Sequence, residues 1–334
     1  MFLLEVVSSQ LIYRLSLVAL ITVVVLTLAS QFGKYLYLEL TTHFRLQYVM
    51  VAIVCALLFT VLQAWKFVPI AVLCAVLNSV YLLPYLFKTP GVVPAAKASP
   101  PATVRVLHAN VLKSNRNYNA VFDLVNRSNA DLIVLQEITE DWHAQIEPVA
   151  NSSPYFKSVP GLEGSGMAIF SRVPFEDVQV LQLDSSTHLA IAVTLNFQGT
   201  EVTLLSLHPP TPITASKFEN RNQQFREAAK FLNSVAGTKI LIGDLNTTMW
   251  SPYFTTLLHT SHLRDVRLGF GLKTSWPMPL PSFMRLPIDH CLVSADVEVK
   301  NVQIGASIGS DHRPLIVDLV VRGSSPTVKE GSAT

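Results

Sequence analysis

Three apolar runs open the chain, each close to the roughly 20 residues that a helix needs to cross a bilayer: residues 15–32, 48–65 and 67–87. A cleaved signal peptide would begin with a short cationic stretch. Here Glu5 precedes the first cationic residue, Arg14, and two further apolar runs follow. We therefore predict that residues 1–87 form a membrane domain with three transmembrane helices.

Two segments without an apolar periodicity bound the rest of the chain. Residues 88–102, KTPGVVPAAKASPPA, are rich in proline and alanine, a composition typical of extended, semi-rigid linkers. Residues 322–334 have the small and polar composition of a disordered tail. The sequence thus predicts a linker at 88–102, a soluble domain at 103–321 and a tail at 322–334.

The soluble domain alternates short apolar runs with stretches of helical periodicity. Strands are predicted at 104–112, 131–137, 167–172, 189–197, 201–208, 238–246, 288–294 and 315–321. One helix is predicted around residues 118–126, and a second is expected to open at a capping box formed by Ser216 and Glu219. Because some strands form hairpins and others are separated by helices, we predict a mixed α/β domain with packed sheets.

Polar residues recur at the ends of these apolar strands. They are Asn110, Glu137, His208, Asp244, Asn246, Asp289, Asp311 and His312. Taken singly, each is also consistent with an ordinary turn residue. Strand ends are, however, where side chains from several strands converge on a cleft. The recurrence therefore predicts a polar site at one edge of the sheets.

Charge divides unevenly between the two parts of the chain. Residues 1–102 carry six Lys and Arg against two acids, a net charge of +4. Residues 103–334 carry nineteen against twenty-one, a net charge of −2. Domains that bind DNA without sequence preference usually carry a basic excess. The soluble domain lacks that excess, which argues mildly against a nonspecific nuclease.

The side of the membrane on which the soluble domain lies has two conflicting indications. The positive-inside rule favours the cytoplasm, since Lys34, Arg45, Lys88 and Lys97 would share its side of the bilayer. A proline- and alanine-rich tether is more typical of the outer side. Cys291 is the one cysteine of the soluble domain, so no disulfide forms within it and the redox compartment stays undetermined.

The soluble domain carries seven short motifs in a fixed order: HANV (108–111), DLIVLQE (131–137), GMAIFSR (166–172), LHPP (207–210), GDLN (243–246), LPIDH (286–290) and GSDHRP (309–314). Together they resemble the endonuclease/exonuclease/phosphatase family, which includes deoxyribonuclease I, apurinic endonucleases, inositol-polyphosphate phosphatases and neutral sphingomyelinases. The resemblance spans residues 104–319. It implies a four-layer α/β sandwich, with two packed mixed β-sheets flanked by helices, here preceded by the three transmembrane helices.

The resemblance also implies a metal site. Glu137 matches the family's magnesium-binding glutamate, with Asn110 beside it, and Asp311 is a further candidate ligand. Carboxylate and amide oxygens suit Mg²⁺, with Mn²⁺ as an alternative. A zinc site would favour a cysteine pair or histidines at an HxxxH-type spacing, and the sequence contains neither.

The remaining matches imply catalytic roles. Asp244 and Asn246 match the pair that orients the attacking water and holds the phosphate. His208 matches the histidine that contacts the scissile phosphoryl group, and Asp289 the aspartate that orients His208. Asp311 and His312 match the family's terminal pair, in which a carboxylate orients the imidazole and makes it more basic. His312 is accordingly the predicted general acid/base.

These residues predict a metal-dependent hydrolase that attacks a phosphodiester or phosphomonoester with activated water and needs no nucleophilic Ser or Cys. The substrate is either DNA or RNA or a lipid headgroup, and the membrane domain favours the lipid. A base-excision endonuclease is disfavoured, because VLKSN (111–115) lacks the second acid that such enzymes carry there. A non-enzymatic membrane scaffold built on a decayed copy would have lost Glu137, Asp244, Asp311 or His312, and all four are present.

The predicted partners are the lipid bilayer, through residues 1–87, and a phosphate ester, either a nucleic acid or a phospholipid headgroup. The sequence identifies no protein partner. The predicted location is the cell membrane, as a multi-pass protein of a bacterial inner membrane.

Two further features have two interpretations each. His290 either lines the pocket or packs beneath it. Trp250, Tyr253, Trp276 and Phe283 lie among prolines, and they either anchor their loops or form an aromatic rim against the substrate.

Overall fold

A computed structural model describes residues 2–87 and 101–322, and residues 101–322 fold around two six-stranded sheets. The first sheet contains β1 (Ala102–Asn110), β2 (Leu132–Gln136), β3 (Tyr155–Val159), β4 (Met167–Ser171), β11 (Val297–Ile304) and β12 (Leu315–Val321). The second contains β5 (Phe175–Leu181), β6 (Ala190–Phe197), β7 (Thr200–Ser206), β8 (Thr238–Asp244), β9 (Arg264–Asp265) and β10 (Asp289–Val293). All eight predicted strands are present.

Both sheets are mixed. The strand order is β11-β12-β1-β2-β4-β3 in the first sheet and β5-β6-β7-β8-β10-β9 in the second. β1 runs parallel to β2, and β7 runs parallel to β8, while the other pairs are antiparallel. The outer faces carry α6 (Tyr118–Ser128), α7 (Glu140–His143) and α8 (Glu147–Ser152) on one side and α9 (Ala215–Ser234) and α10 (Pro252–Ser261) on the other. The predicted sandwich of two mixed sheets flanked by helices is confirmed.

The alternation of side chains along the strands explains the packing. On β1, Val104 and Val106 point into the apolar core between the sheets, whereas Leu107 and Ala109 pack under α6. Every second residue of β2, β8 and β10 joins the same central core. The buried strands therefore read as nearly continuous apolar runs, because both of their faces are covered.

Helix α9 begins two residues earlier than the predicted capping box implies. Its N-cap is Thr214, whose side chain accepts a hydrogen bond from the Lys217 backbone N–H. The prediction that Ser216 and Glu219 form the cap is therefore wrong. Thr214 satisfies one of the free N–H groups of the first turn, and Ser216 lies inside the helix.

The N-terminal part is helical throughout: α1 (Phe2–Ala29), α2 (Leu36–Thr42), α3 (Arg45–Val61), α4 (Val68–Ser79) and α5 (Leu83–Leu86). Two segments, Ser9–Phe32 and Leu36–Val61, are helical, apolar and long enough to cross a membrane. The third predicted span is not confirmed at that length. Its apolar helix is Trp65–Ser79, and the chain then turns before a short helix that contains Pro84.

A buried polar cluster fixes the last turn of α4 against its neighbours. Asn78 is buried and donates to Thr27 Oγ1 (2.9 Å), while its Oδ1 accepts from the Arg45 guanidinium (2.9 Å). These bonds hold the end of α4 against α1 and the start of α3.

The N-terminal helices pack directly on the sheets' helical layer. Val49, Leu82 and Tyr85 belong to the same buried apolar cluster as Trp250 and Phe254. The Trp250 indole donates to the Tyr81 carbonyl (3.1 Å), and further backbone bonds join residues 84–85 to 269–271. The predicted linker at 88–102 lies outside the described residues, except that its last residues enter β1. The predicted tail also lies outside them, apart from residue 322.

Candidate active site

The polar site forms where the apolar inner faces of four central strands end. On β1 the inward positions run Val104, Val106, His108, Asn110, so the side chains change from apolar to polar along one face. The same change occurs at Gln136 on β2, at Ser206 on β7, and at Asp244 on β8, and Asp289 opens β10. Because antiparallel pairing places Asp289 opposite Asp244, these ends meet at one edge of the sandwich.

An Asp–His pair lies at the centre of this edge. His312 Nδ1 is 2.9 Å from Asp289 Oδ2, and His312 Nε2 is 3.5 Å from Asp244 Oδ2. All three side chains are at most 5% exposed. The loop that carries His312, just before β12, is held in place by Ser310. The Ser310 hydroxyl donates to the Asn110 carbonyl (2.8 Å) and accepts from the His312 N–H (3.0 Å).

The partner of His312 differs from the prediction. Asp311 was expected to orient it, yet Asp311 Oδ2 accepts from the Trp276 indole (3.0 Å) and faces the cavity. The tight turn sends the two neighbouring side chains in different directions, and the carboxylate within reach of the imidazole belongs to Asp289 on β10. Asp289 was expected to orient His208, whereas in the structure its Oδ2 is 2.9 Å from His312 Nδ1 and its Oδ1 is 3.5 Å from His108 Nδ1.

His208 approaches the cluster from the end of β7. Its Nε2 is 3.7 Å from Asp244 Oδ2, and within the described residues its Nδ1 has no hydrogen-bond partner. Asn246 lies opposite, with its Nδ2 donating to the Pro209 carbonyl (3.0 Å) and its Oδ1 accepting from Thr211 (3.1 Å). The backbone N–H of Asn246 donates to Asp244 Oδ1 (2.9 Å), which fixes that carboxylate.

Glu137 and Asn110 form a second acidic position beside the Asp–His pair. Asn110 Nδ2 donates to Glu137 Oε1 (2.9 Å) and, at 3.3 Å, to Asp244 Oδ2. The Lys113 N–H donates to Glu137 Oε2 (2.9 Å). Glu137 has a φ of 65°, so its backbone leaves the strand in the left-handed region. Strand alternation would send this side chain to the outer face, and the turn brings it to the site instead.

Gln136 and His108 support the site from below. The Gln136 Oε1 accepts from the Asp244 N–H (2.9 Å) and is 3.1 Å from His108 Nε2, while its Nε2 donates to the Leu207 carbonyl (3.1 Å). Gly243 makes this contact possible, because a Cβ there would collide with the Leu207 carbonyl oxygen and the Gln136 amide. The motif GDLN thus needs its glycine for close approach of two strands.

Burial and neighbouring charges displace the ordinary pKa values here. Burial lowers the pKa of His312, but the Asp289 and Asp244 carboxylates outweigh it and raise that pKa to about 10. Burial raises the pKa of Asp244 to about 7, with the His312 charge acting in the opposite direction. Burial, together with His188 and His312, lowers the pKa of His208 to about 3. The site thus favours a charged His312 beside a neutral His208.

A cavity of about 430 Å³ opens onto these groups. It is lined by Leu40, His43, Phe44, Glu137, His208, Thr211, Pro212, Ile213, Asp244, Asn246, Thr247, Trp276, Leu286, Ile288, Asp311 and His312. Six of the eight predicted site residues lie on its wall. Asn110 and Asp289 stand directly behind that wall and bond to its members. The structure therefore brings all eight residues together.

The two open interpretations are also decided. His290 packs beneath the pocket, with its Nε2 2.8 Å from the Thr247 carbonyl and its ring against Phe254. Of the four loop aromatics, Trp276 lines the cavity, whereas Trp250 and Tyr253 bond to the backbone of the N-terminal helices. These two are therefore loop anchors.

Sequence reasoning missed the N-terminal residues of the cavity: Leu40, His43 and Phe44. One signal was available. Glu39, His43 and Arg45 are polar residues flanking long apolar runs, and such residues commonly face protein rather than lipid. In the structure all three are buried.

The donor set fits a hard divalent cation. Glu137 and Asp311 both face the cavity, and within the described residues Asp311 Oδ1 has no hydrogen-bond partner. Asn110 Oδ1 accepts from the Leu112 N–H (3.0 Å), and an amide oxygen has a second lone pair. A second group of ligand-type atoms, from Asp244, Asp289 and His312, lies within 4.8 Å. These three already bond to one another, which favours the oxygen-rich position at Glu137 and Asp311.

Structural comparisons identify the same fold in several solved proteins. TDP2 from D. rerio, solved with a single-strand DNA product, superposes with a TM-score of 0.56 at 15% identity, covering 65% of this chain and 98% of that one. Sphingomyelinase C from Streptomyces griseocarneus superposes with a TM-score of 0.51 at 18% identity, covering 68% and 100%. An endonuclease/exonuclease/phosphatase from Beutenbergia cavernae gives 0.53 at 18% identity, covering 66% and 72%.

A comparison with curated proteins found no significant sequence match. The family model described as "Endonuclease/Exonuclease/phosphatase family" matches residues 105–312, which is more than half of the chain and includes all eight polar residues that the sequence predicted for the site. The chain therefore belongs to the endonuclease/exonuclease/phosphatase family, whose members are hydrolases of phosphoester bonds.

Proposed function

We propose that this protein is a membrane-anchored, divalent-metal-dependent phosphoesterase that hydrolyses a phosphodiester or phosphomonoester with activated water. The observation that carries the proposal is the convergence of eight predicted polar residues on one cavity at the edge of two sheets. This set combines oxygen ligands, a proton-transfer group and donors for a phosphate. Phosphoryl transfer needs little more than positioning and charge neutralisation.

His312 acts as the general acid/base in this proposal. Asp289 holds its Nδ1, so the imidazole presents Nε2 to the cavity in a fixed orientation. Asp244 Oδ2, 3.5 Å from that nitrogen, orients the attacking water. The side-chain amide of Asn246 and the ring of His208 contact the phosphate oxygens from the opposite wall.

Glu137 and Asp311, with Asn110 behind them, would hold the cation, which we propose to be Mg²⁺, with Mn²⁺ as a substitute. When bound, it neutralises phosphate charge and acidifies water. Asn110 keeps the Glu137 carboxylate in place through its 2.9 Å bond.

The two long apolar helices, with the shorter α4, anchor the protein in a cell membrane. Side chains on the outer face of α1 support this, because Leu15, Val18, Ile21 and Val25 are each more than half exposed. So large an apolar surface needs a lipid or protein cover. The bilayer is the cover that the helix lengths favour.

Metal removal tests the proposed cation. Hydrolysis of bis(4-nitrophenyl) phosphate by the full chain in detergent is expected to stop in EDTA and to return with excess Mg²⁺. Glu137→Gln is expected to lower kcat/KM by about 100-fold or more at fixed Mg²⁺, since loss of groups around a metal site commonly costs 10–100-fold. Hydrolysis that continues in EDTA would reject the metal-dependent mechanism.

The matched control is Glu147→Gln. Glu147 lies in the first turn of α8 and is exposed. It should retain full activity and the same Mg²⁺ dependence. If both variants lost the same fraction of kcat/KM, the effect of Glu137→Gln would not be due to loss of the cation.

A further inference from the structure

The catalytic cavity is completed by the N-terminal helices. Leu40 lies on α2, and His43 and Phe44 lie in the turn between α2 and α3. All three line the cavity that contains Asp244 and His312. One wall of the active site therefore comes from the segment that we propose to lie in the membrane.

A second cavity continues from that wall between α1 and α3. It has a volume of about 550 Å³ and is lined by Ala19, Thr22, Val23, Leu26, Leu40, Thr41, Phe44, Gln47, Tyr48 and Val51. Leu40 and Phe44 belong to both linings. An apolar groove thus runs between the two helices and meets the polar catalytic cavity at these two side chains. From Ala19 to Leu26 the groove extends about 10 Å along α1, at 1.5 Å per residue.

The surface around this junction has the character of a membrane interface. Tyr35, between α1 and α2, and Tyr37, on α2, are 67% and 71% exposed. Phe283 and Met284 are each 47% exposed, and their loop is tied to α3 by a bond from Gln47 Nε2 to the Phe283 carbonyl (3.0 Å). Aromatic side chains concentrate at the headgroup level of bilayers. These exposed aromatic side chains therefore suit the headgroup level of a bilayer.

The cavity charge disfavours a nucleic-acid strand. Among the residues that the structure describes, none of those lining the catalytic cavity is Lys or Arg. Proteins that hold nucleic acids neutralise successive phosphates with these two residues. The rim instead presents Phe44 and the 60% exposed Ile213. One phosphoester group with an apolar chain attached matches this distribution better than a polyanion.

We infer that the groove between α1 and α3 binds an acyl chain of a membrane lipid whose phosphoester lies in the catalytic cavity. This inference rests on the proposed function. Water then adds to phosphorus through its oxygen, the P–O ester bond breaks, and the leaving oxygen takes up the proton that the water releases. Leu40 and Phe44 determine substrate class, because they join the polar and apolar parts of the path.

The test fills the groove without altering the catalytic centre. Thr22 lines the groove and is exposed, so Thr22→Trp adds bulk there without displacing a buried side chain. Ile21→Trp is the matched control, since Ile21 is 55% exposed on the same helix and does not line the groove. The substrates are vesicles of phosphatidylglycerol, phosphatidylethanolamine and sphingomyelin, and soluble bis(4-nitrophenyl) phosphate.

Wild-type protein should cleave at least one vesicle lipid. We expect Thr22→Trp to lower that cleavage at least tenfold and to change hydrolysis of the soluble diester less than twofold, and Ile21→Trp to change neither. Lipid cleavage that is insensitive to Thr22→Trp, or cleavage of plasmid DNA but of no lipid, would overturn the inference and leave the proposed hydrolase intact.

A binding measurement separates this inference from the proposed function. Phosphatidylcholine with a diazirine on its acyl chain is incorporated into the vesicles and photolysed. We expect label on Val23 and Tyr48, which line the groove but are only 3% and 6% exposed, and we expect Thr22→Trp to remove it. Label confined to outward residues such as Val18 would overturn the inference. Failure of every phosphoester to react would instead reject the proposed function, and the labelling would still decide the groove.

Discussion

His312→Asn is expected to lower kcat/KM for phosphoester hydrolysis by about 10²- to 10⁴-fold, the range that a positioned proton-transfer group contributes. The imidazole is 5% exposed, and its two nitrogens face Asp289 and Asp244. Asparagine keeps a donor near the position of Nδ1 but has no group that gains or releases a proton. Initial rates on bis(4-nitrophenyl) phosphate check the prediction.

Two control variants test whether the loss of activity is specific to His312 and its partner Asp289. His259→Ala removes an exposed histidine from α10 and should leave the rate unchanged. Asp289→Asn should also reduce the rate, and the double variant with His312→Asn should lose little more than His312→Asn alone, because residues that act as a unit are not additive. A normal rate in a folded His312→Asn variant, judged by an unchanged Tm, would remove His312 from the mechanism.

Glu39→Gln is expected to destabilise the protein by about 3–5 kcal/mol, because it leaves the buried Arg221 guanidinium without its anionic partner. Glu39 Oε1 lies 3.1 Å from Arg221 Nη1 and accepts from Ser251 (2.6 Å), and both charged side chains are 0% exposed. At roughly 2–4 °C per kcal/mol for a protein of this size, Tm should fall by about 10 °C. Calorimetry in detergent measures the shift.

The Glu39→Gln substitution is also expected to disturb the active site. Arg221 Nη1 donates to the carbonyl of Asn246 (3.4 Å), so the ion pair supports the loop that carries a proposed phosphate contact. Reduced kcat is therefore expected in Glu39→Gln below its Tm. Glu219→Gln is the matched control, since it breaks an exposed pair with Arg226 on the same helix α9, and exposed pairs contribute only about 0–1 kcal/mol. Equal Tm values for Glu39→Gln and wild type would show that the N-terminal helices do not brace the domain.

These predictions depend on which strand ends meet at the edge of the two sheets. The sequence predicts the strands themselves but not how their ends are paired. The strands can be predicted because strands with both faces buried appear in the sequence as apolar runs. The polar residues at the ends of these runs can also be identified from the sequence. Which strand ends meet is a matter of register. Asp289 reaches His312 because β10 pairs with β8 so that Asp289 lies opposite Asp244. Asp311 and His312 are adjacent in sequence, but the tight turn directs their side chains to different partners.

The sequence by itself determined the sandwich of mixed sheets, the family and the eight residues of the site, because strand periodicity and the order of short motifs are local properties. Only the tertiary structure decided that Asp289 contacts His312, that α4 ends at Ser79, that Glu39 pairs with Arg221, and that Leu40 and Phe44 line the cavity. Each of these rests on contacts between residues far apart in the chain. A polar residue beside an apolar run has the same sequence pattern whether its side chain contacts lipid, water or a buried arginine.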